Sequence, residues 1–264
     1  MTRSISPTLA PVLGLLELNR PVIISRKEME ILVCEAGVNW PVNVVIQRLS
    51  KLGWLKETEA RGVWEFVPAE RAGSFSSGDP LLSLRATLTA HPNVPVAVAL
   101  GSAMWYLDIA DRRPDVTEVA LPPRSHVPAA IRRSYRVVRH ETRLPPVQVR
   151  GIPVHSPASV LVHLATRPTD VRSWAAVFDG LPELVGAAEE MDILTEIEGR
   201  THATHARFAY LVEGIAPKLV ERLRVQPRGK VWFGPRGPLR RHDSRWNIAD
   251  TILPFPPSEL GSQR

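Results

Sequence analysis

Cysteine is almost missing from this chain of 264 residues: Cys34 stands alone, in an apolar stretch. That excludes both a disulfide framework and a cysteine-rich zinc site, and it leads us to expect the reducing cytosol. There is no His-Glu-x-x-His and no Gly-x-Ser-x-Gly, so two common hydrolase signatures are missing. Nor does any acid stand two residues before a lysine, as the catalytic pair of a fused nuclease would. Long apolar runs are lacking too. The longest, residues 94–107, is broken by Pro95, Gly101 and Ser102 and is too short to cross a bilayer, and the N-terminus lacks the pattern of a signal peptide. Aromatic residues make up only 6% of the chain, and the pairs Trp54/Trp64 and Trp232/Phe233 read as core, not as platforms for single-stranded bases.

Proline is abundant: 25 residues, about twice the usual share. They break the second half into short elements, the pattern of a mixed α+β domain. The net charge of +6 is unevenly placed. Residues 1–70 hold eight basic and eight acidic residues, whereas 124–150 hold seven basic and one acidic, and 218–245 nine and two. A nucleic-acid partner would therefore draw much of its salt-dependent phosphate attraction from outside the first 70 residues. Solvated surface and structural ion pairs are the other reading of those arginines.

The stretch 25–68 organises the rest. Ser25 with Glu28 forms a capping box before an apolar run that stops at Gly37. A second helix follows, with Asn39 expected as cap and Pro41 in its first turn. Along it Val42, Val45, Ile46, Leu49 and Leu52 share one face, and Asn43, Gln47, Ser50 and Lys51, flanked by Arg48, share the other. Gly53 ends it. Two strand-like runs around a turn at Arg61-Gly62 complete a hairpin, with Arg61 at its tip. Residues 7–19 predict a preceding helix and 21–24 a strand able to pair with that hairpin, which together make a winged helix-turn-helix. Amides and bases at these positions suit base edges and phosphates.

The expected organisation is α+β: an N-terminal winged helix-turn-helix (1–70), a Ser/Gly-rich linker (71–79) and a larger mixed α/β domain (80–264). In the latter we expect helices over 81–90, 101–107, 156–166, 170–178, 182–198 and 203–213. We expect strands over 94–100 and 116–121, a strand pair made by 133–140 and 148–154, and strands at 231–233 and 248–253. Gly101-Ser102 followed by Asp108, Asp111, Asp115 and Glu118 is similar to the opening of a nucleotidyltransferase site, yet no two of these acids stand two apart, as a metal-holding pair on a strand must. His202 and His205 read as surface histidines. No catalytic residue, cofactor or metal ligand is assigned.

The runs Arg48-Leu49-Ser50-Lys51-Leu52-Gly53-Trp54-Leu55 and Gly62-Val63-Trp64-Glu65-Phe66-Val67-Pro68 resemble the winged helix of AbiEi-type antitoxins of type IV toxin-antitoxin systems. Asp79-Pro80, Gly101-Ser102-Ala103, Leu121-Pro122-Pro123 and His163-Leu164-Ala165-Thr166-Arg167-Pro168 resemble that family's second domain. One departure is Asp108, where relatives often carry glycine. The resemblance implies an antitoxin domain that counteracts a cognate AbiEii-like nucleotidyltransferase toxin. It also implies a winged helix that binds inverted repeats in the double-stranded DNA of its own promoter and represses it. On the matching positions it implies DNA contact by Asn43, Gln47, Arg48, Lys51 and Arg61. A stand-alone regulator whose second domain senses a small ligand is the alternative, and an enzyme built on that domain is a third.

Overall fold

The computed structural model describes residues 6–71, 78–226 and 228–263, with side chains to residue 260. Its contacts group the chain into two units. Unit 1 comprises residues 1–94 together with 127–134, and unit 2 the remainder.

Unit 1 begins with α1 (Ala10–Asn19), whose Val12, Leu13 and Leu16 are buried, and β1 (Ile23–Ser25). Ser25 then caps α2 (Arg26–Glu35): its hydroxyl accepts from the Glu28 backbone while the Glu28 carboxylate accepts from the Ser25 N–H at 2.7 Å. Cys34 lies in the last turn of α2 and is exposed, because the helix turns only Met29, Leu32 and Val33 inward. The helix α3 (Val42–Lys51) leads into β2 (Leu55–Glu57) and β3 (Val63–Phe66), and the sheet runs β1-β3-β2, all antiparallel.

This sheet is covered on both faces. Ile24, Leu55 and Phe66 join the core formed by α1 to α3. On the other side Ile23, Ala60 and Val63 pack against Ala86 and Ala90 of α4 (Leu82–Ala90). Burial on two faces leaves β3 nearly all buried along its length. Glu65 consequently lies inside, 4% exposed, and is neutralised by Arg71 at 2.6 Å. A short helix from the later sequence, α6 (Ala129–Ser134), packs on α4, with Ser134 and Ser83 hydroxyls 3.0 Å apart. The expected boundary at 71–79 thus does not coincide with the division of contacts: α4 and α6 belong to unit 1. Residues 72–77 of that linker lie outside the described residues.

Unit 2 is a five-stranded sheet in the order β6-β5-β4-β8-β7. It is formed by β4 (Ala97–Val98), β5 (Glu118–Leu121), β6 (Arg136–Arg139), β7 (Val147–Val149) and β8 (Ile152–Val154). The strand pair expected between 133–140 and 148–154 does not form. β6 pairs with β5 at one edge, and β7 and β8 make their own hairpin at the other, turning at Arg150 and Gly151, which both have positive φ. Between β4 and β5, α5 (Leu100–Tyr106) ends in a Schellman motif: the Ile109 N–H reaches the Met104 carbonyl and Asp108 takes φ +58°. That left-handed position is one that glycine enters without strain.

A central helix, α7 (Pro157–Thr166), is capped by Ser156 and buried from Ala158 to Ala165. It is buried all round because α5, α9 (Leu181–Ala187), α10 (Glu190–Ile197) and α11 (His202–Val212) pack against it. The single helix expected over 182–198 is split at Ala188 and Glu189, which are extended. Smaller helices α8 (Trp174–Asp179) and α12 (Pro217–Arg222) complete the set. A separate sheet holds β9 (Val231–Phe233), β10 (Arg241–Asp243) and β11 (Ile248–Asp250). No helix among the described residues is long and apolar enough to cross a membrane.

Candidate nucleic-acid interface

α3 divides its two faces cleanly. Val45, Ile46 and Leu49 enter the core, while Asn43, Gln47 and Lys51, each four residues from the next, remain exposed in one stripe. Arg48 is also exposed, and its guanidinium carbon lies 4.2 Å from the centre of the Trp40 ring, a cation–π contact that orients the charge. Ser50 departs from expectation. Its hydroxyl is buried without a hydrogen-bond partner among the described residues, so it belongs to the protein-facing side. The helix start also differs: Pro41 occupies the cap position with ψ 134°, and its carbonyl accepts from the Val44 and Val45 N–H groups, leaving Asn39 outside the cap.

The hairpin turn carries Arg61 exposed at its tip. Gly62 takes φ +77°, and the Thr58 side chain closes the loop, its hydroxyl oxygen within 2.8 Å of the Val63 carbonyl and accepting from the Ala60 N–H at 3.2 Å. Sequence reasoning passed over Thr58 and Trp40; a hydroxyl before a turn and an aromatic eight residues before a helical arginine were the signals. Together, α3 presents amides able to donate to and accept from base edges, and the turn adds a cation of the kind that meets phosphate.

Asp111 and Asp115 are exposed. Glu118 is buried at the start of β5, where Arg136 Nη1 lies 2.6 Å from Oε1 and the Gly101 and Ser102 N–H groups also reach its carboxylate. Ser102 serves structure, its hydroxyl accepting from the Glu118 N–H at 2.9 Å. Burial outweighs these partners and holds the Glu118 carboxyl above its ordinary value. His202 and His205 sit at the start of α11, bonded to the carbonyls of Gln226 and Thr201.

Two buried polar clusters escaped sequence reasoning. His140, His155 and His163 converge in the interior: the rings of His140 and His163 stack at 3.9 Å, His155 lies within 6.2 Å of each, and Asp170 approaches His163 Nε2 at 3.2 Å. Burial and mutual repulsion push His140 far down, burial takes His155 down to about 3, and burial lowers His163 despite Asp170. Glu196, fully buried, accepts from the Ser159 hydroxyl at 2.6 Å, from the backbone of Arg143 and Leu144, and from Arg200. No group of three or more histidine, cysteine, aspartate or glutamate side chains among the described residues is placed to hold a metal ion.

Among solved structures, the chain is similar to the Rv2827c protein from Mycobacterium tuberculosis, with a TM-score of 0.76 and 26% identity over 96% of this chain and 94% of that one. No curated protein matches it. The profile of the family described as AbiEi antitoxin C-terminal domain matches residues 96–214, a span that runs from β4 through the sheet and the central helix to the end of α11. Residues 96–214 are therefore an AbiEi antitoxin C-terminal domain.

Proposed function

We propose that the protein is the antitoxin of a type IV toxin-antitoxin system, which counteracts a cognate nucleotidyltransferase toxin and represses its own operon by binding inverted repeats in the promoter. The observation that carries the regulatory half is the exposed stripe Asn43, Gln47 and Lys51 on a helix whose other face is core, in the same chain as an antitoxin domain. In this reading α3 enters the major groove, where the two amides read base edges. Arg48, held by Trp40, Lys51 and the turn residue Arg61 contact phosphate and fix register. The antitoxin domain opposes the toxin without a catalytic step of its own, in keeping with a Glu118 carboxylate already occupied by Arg136.

A footprint of the purified protein on the DNA upstream of its own reading frame, at two salt concentrations, tests this. Paired, inverted protection that weakens with salt is the expected result; protection no different from that of random DNA would refute the repressor. Rescue of growth when the chain is co-expressed with a neighbouring nucleotidyltransferase tests the antitoxin half. A cleft of about 670 Å³ in unit 2, lined by Asp111, Arg112, Ser173 and Glu183 among others, favours a ligand-sensing regulator as the second reading. Release from DNA on adding a small molecule, without rescue from the toxin, would select it.

A further inference from the structure

The winged-helix stretch is electrically balanced, which poses a problem for a unit that must hold a polyanion. The described residues of unit 1 outside 127–134 hold nine basic and nine acidic residues, so the net charge of +2 comes wholly from Arg132 and Arg133 of α6. Much of the rest is consumed in ion pairs: Arg20 with Glu70, Arg26 with Glu30, Arg71 with Glu65 and Arg85 with Asp79. Arg132 is exposed and has no ion pair among the described residues. Arg133, 72% exposed, reaches towards the hairpin turn, where its Nη1 lies 3.8 Å from Glu59, two residues from Arg61.

Placement reinforces charge. The turn residues Ala60 and Val63 pack on Ala86 of α4, and α4 in turn carries α6. One continuous packed path therefore fixes the position of α6 relative to the turn. We propose that α6 is a third DNA-contacting element, its Arg132 and Arg133 extending the phosphate-contacting surface of the wing beside Arg61. The inference rests on the reading of unit 1 as a DNA-binding unit. Glu59 acts as a gate on it: an exposed, long ion pair contributes little, so Arg133 exchanges that carboxylate for a phosphate when a duplex arrives.

The test is equilibrium binding of the full chain to a promoter duplex and to a random duplex of equal length across a salt titration. R132A/R133A is expected to weaken both duplexes by the same factor, leaving their ratio unchanged, and to lower the log–log salt slope by about two. Glu59→Gln leaves α6 intact and is expected to strengthen both by about two- to fivefold. If the parent prefers the promoter and R132A/R133A keeps its affinity and slope, this inference falls while the DNA-binding reading stands. If the double variant does not fold, an unchanged affinity of Glu59→Gln overturns the inference by itself. Failure of the parent to bind any duplex overturns both readings.

Discussion

Arg136 and Glu118 face each other in register on parallel strands β6 and β5, 2.6 Å apart, with the carboxylate side chain 7% exposed. Removing the cation leaves a buried carboxylate without its counter-charge. Arg136→Ala should therefore cost about 3 kcal/mol at pH 7. Since burial holds the folded Glu118 above its ordinary value, stability from its protonated form is present below the unfolded value and is lost as pH rises through the folded one. The variant should accordingly recover part of its loss between pH 7 and pH 5, read from urea midpoints, and Glu118→Gln combined with it should recover most of it at pH 7. An equal deficit at both pH values would show that the pair is not the cause.

The three interior histidines predict acid sensitivity confined to unit 2. His140 and His155 stay neutral in the fold, well below the ordinary value near 6.5, so the unfolded chain binds more protons as pH falls below about 6.5. Each should remove about 2 kcal/mol of stability between pH 7 and pH 5. His155→Phe should flatten the dependence by one proton. The histidine of unit 1, His91, is exposed, so hydrogen exchange of α3 should change much less than that of α7 across the same range.

In the proposed DNA-binding reading, Gln47→Ala and Arg61→Ala should separate base reading from phosphate contact. Losing the amide should reduce preference for the promoter over random DNA by about 1–3 kcal/mol. Losing the arginine should weaken all sequences alike and lower the salt slope by about one. Variants that bind both duplexes as the parent does would remove α3 and the turn from the interface.

Asp108 sits at φ +58° at the end of α5. Aspartate tolerates the left-handed region better than most residues, and glycine enters it without strain. Asp108→Gly should raise stability by about 0.5–1 kcal/mol and the thermal midpoint by a few degrees. A lower midpoint would mean that the carboxylate contributes more than the backbone costs.

The sequence made the α+β class, the helix and hairpin order of unit 1 and the central helix legible, since each rests on short-range signals. Ser25 with Glu28, Ser156 with Pro157 and the spacing of Val45, Ile46 and Leu49 all act within a few residues. What it hid depends on distant partners. The burial of Glu65 is one such case, since nothing local announces that α4 covers that face. Residues 133–140 and 148–154 have strand composition, yet which strand they join is decided by β4 and β5 lying between them. α6, with six residues, is too short to show a helical period, and the histidine cluster joins residues that are separate in the chain. The arginine runs were ambiguous for the same reason: Arg136, Arg139 and Arg241 turn out to be tied to the protein, and Arg132 is free of ion pairs among the described residues.

In the proposed DNA-binding reading, the second cover on the small sheet bears on where strain resides when a duplex binds. With Ala60 and Val63 packed against Ala86 and Ala90, the turn is expected to act in that reading as a rigid jaw and not as a flexible finger. A site whose groove does not match the spacing between α3 and the turn must itself deform. Base steps that the protein never touches should then modulate affinity through their stiffness, and flexible pyrimidine–purine steps between the two contacts should bind best.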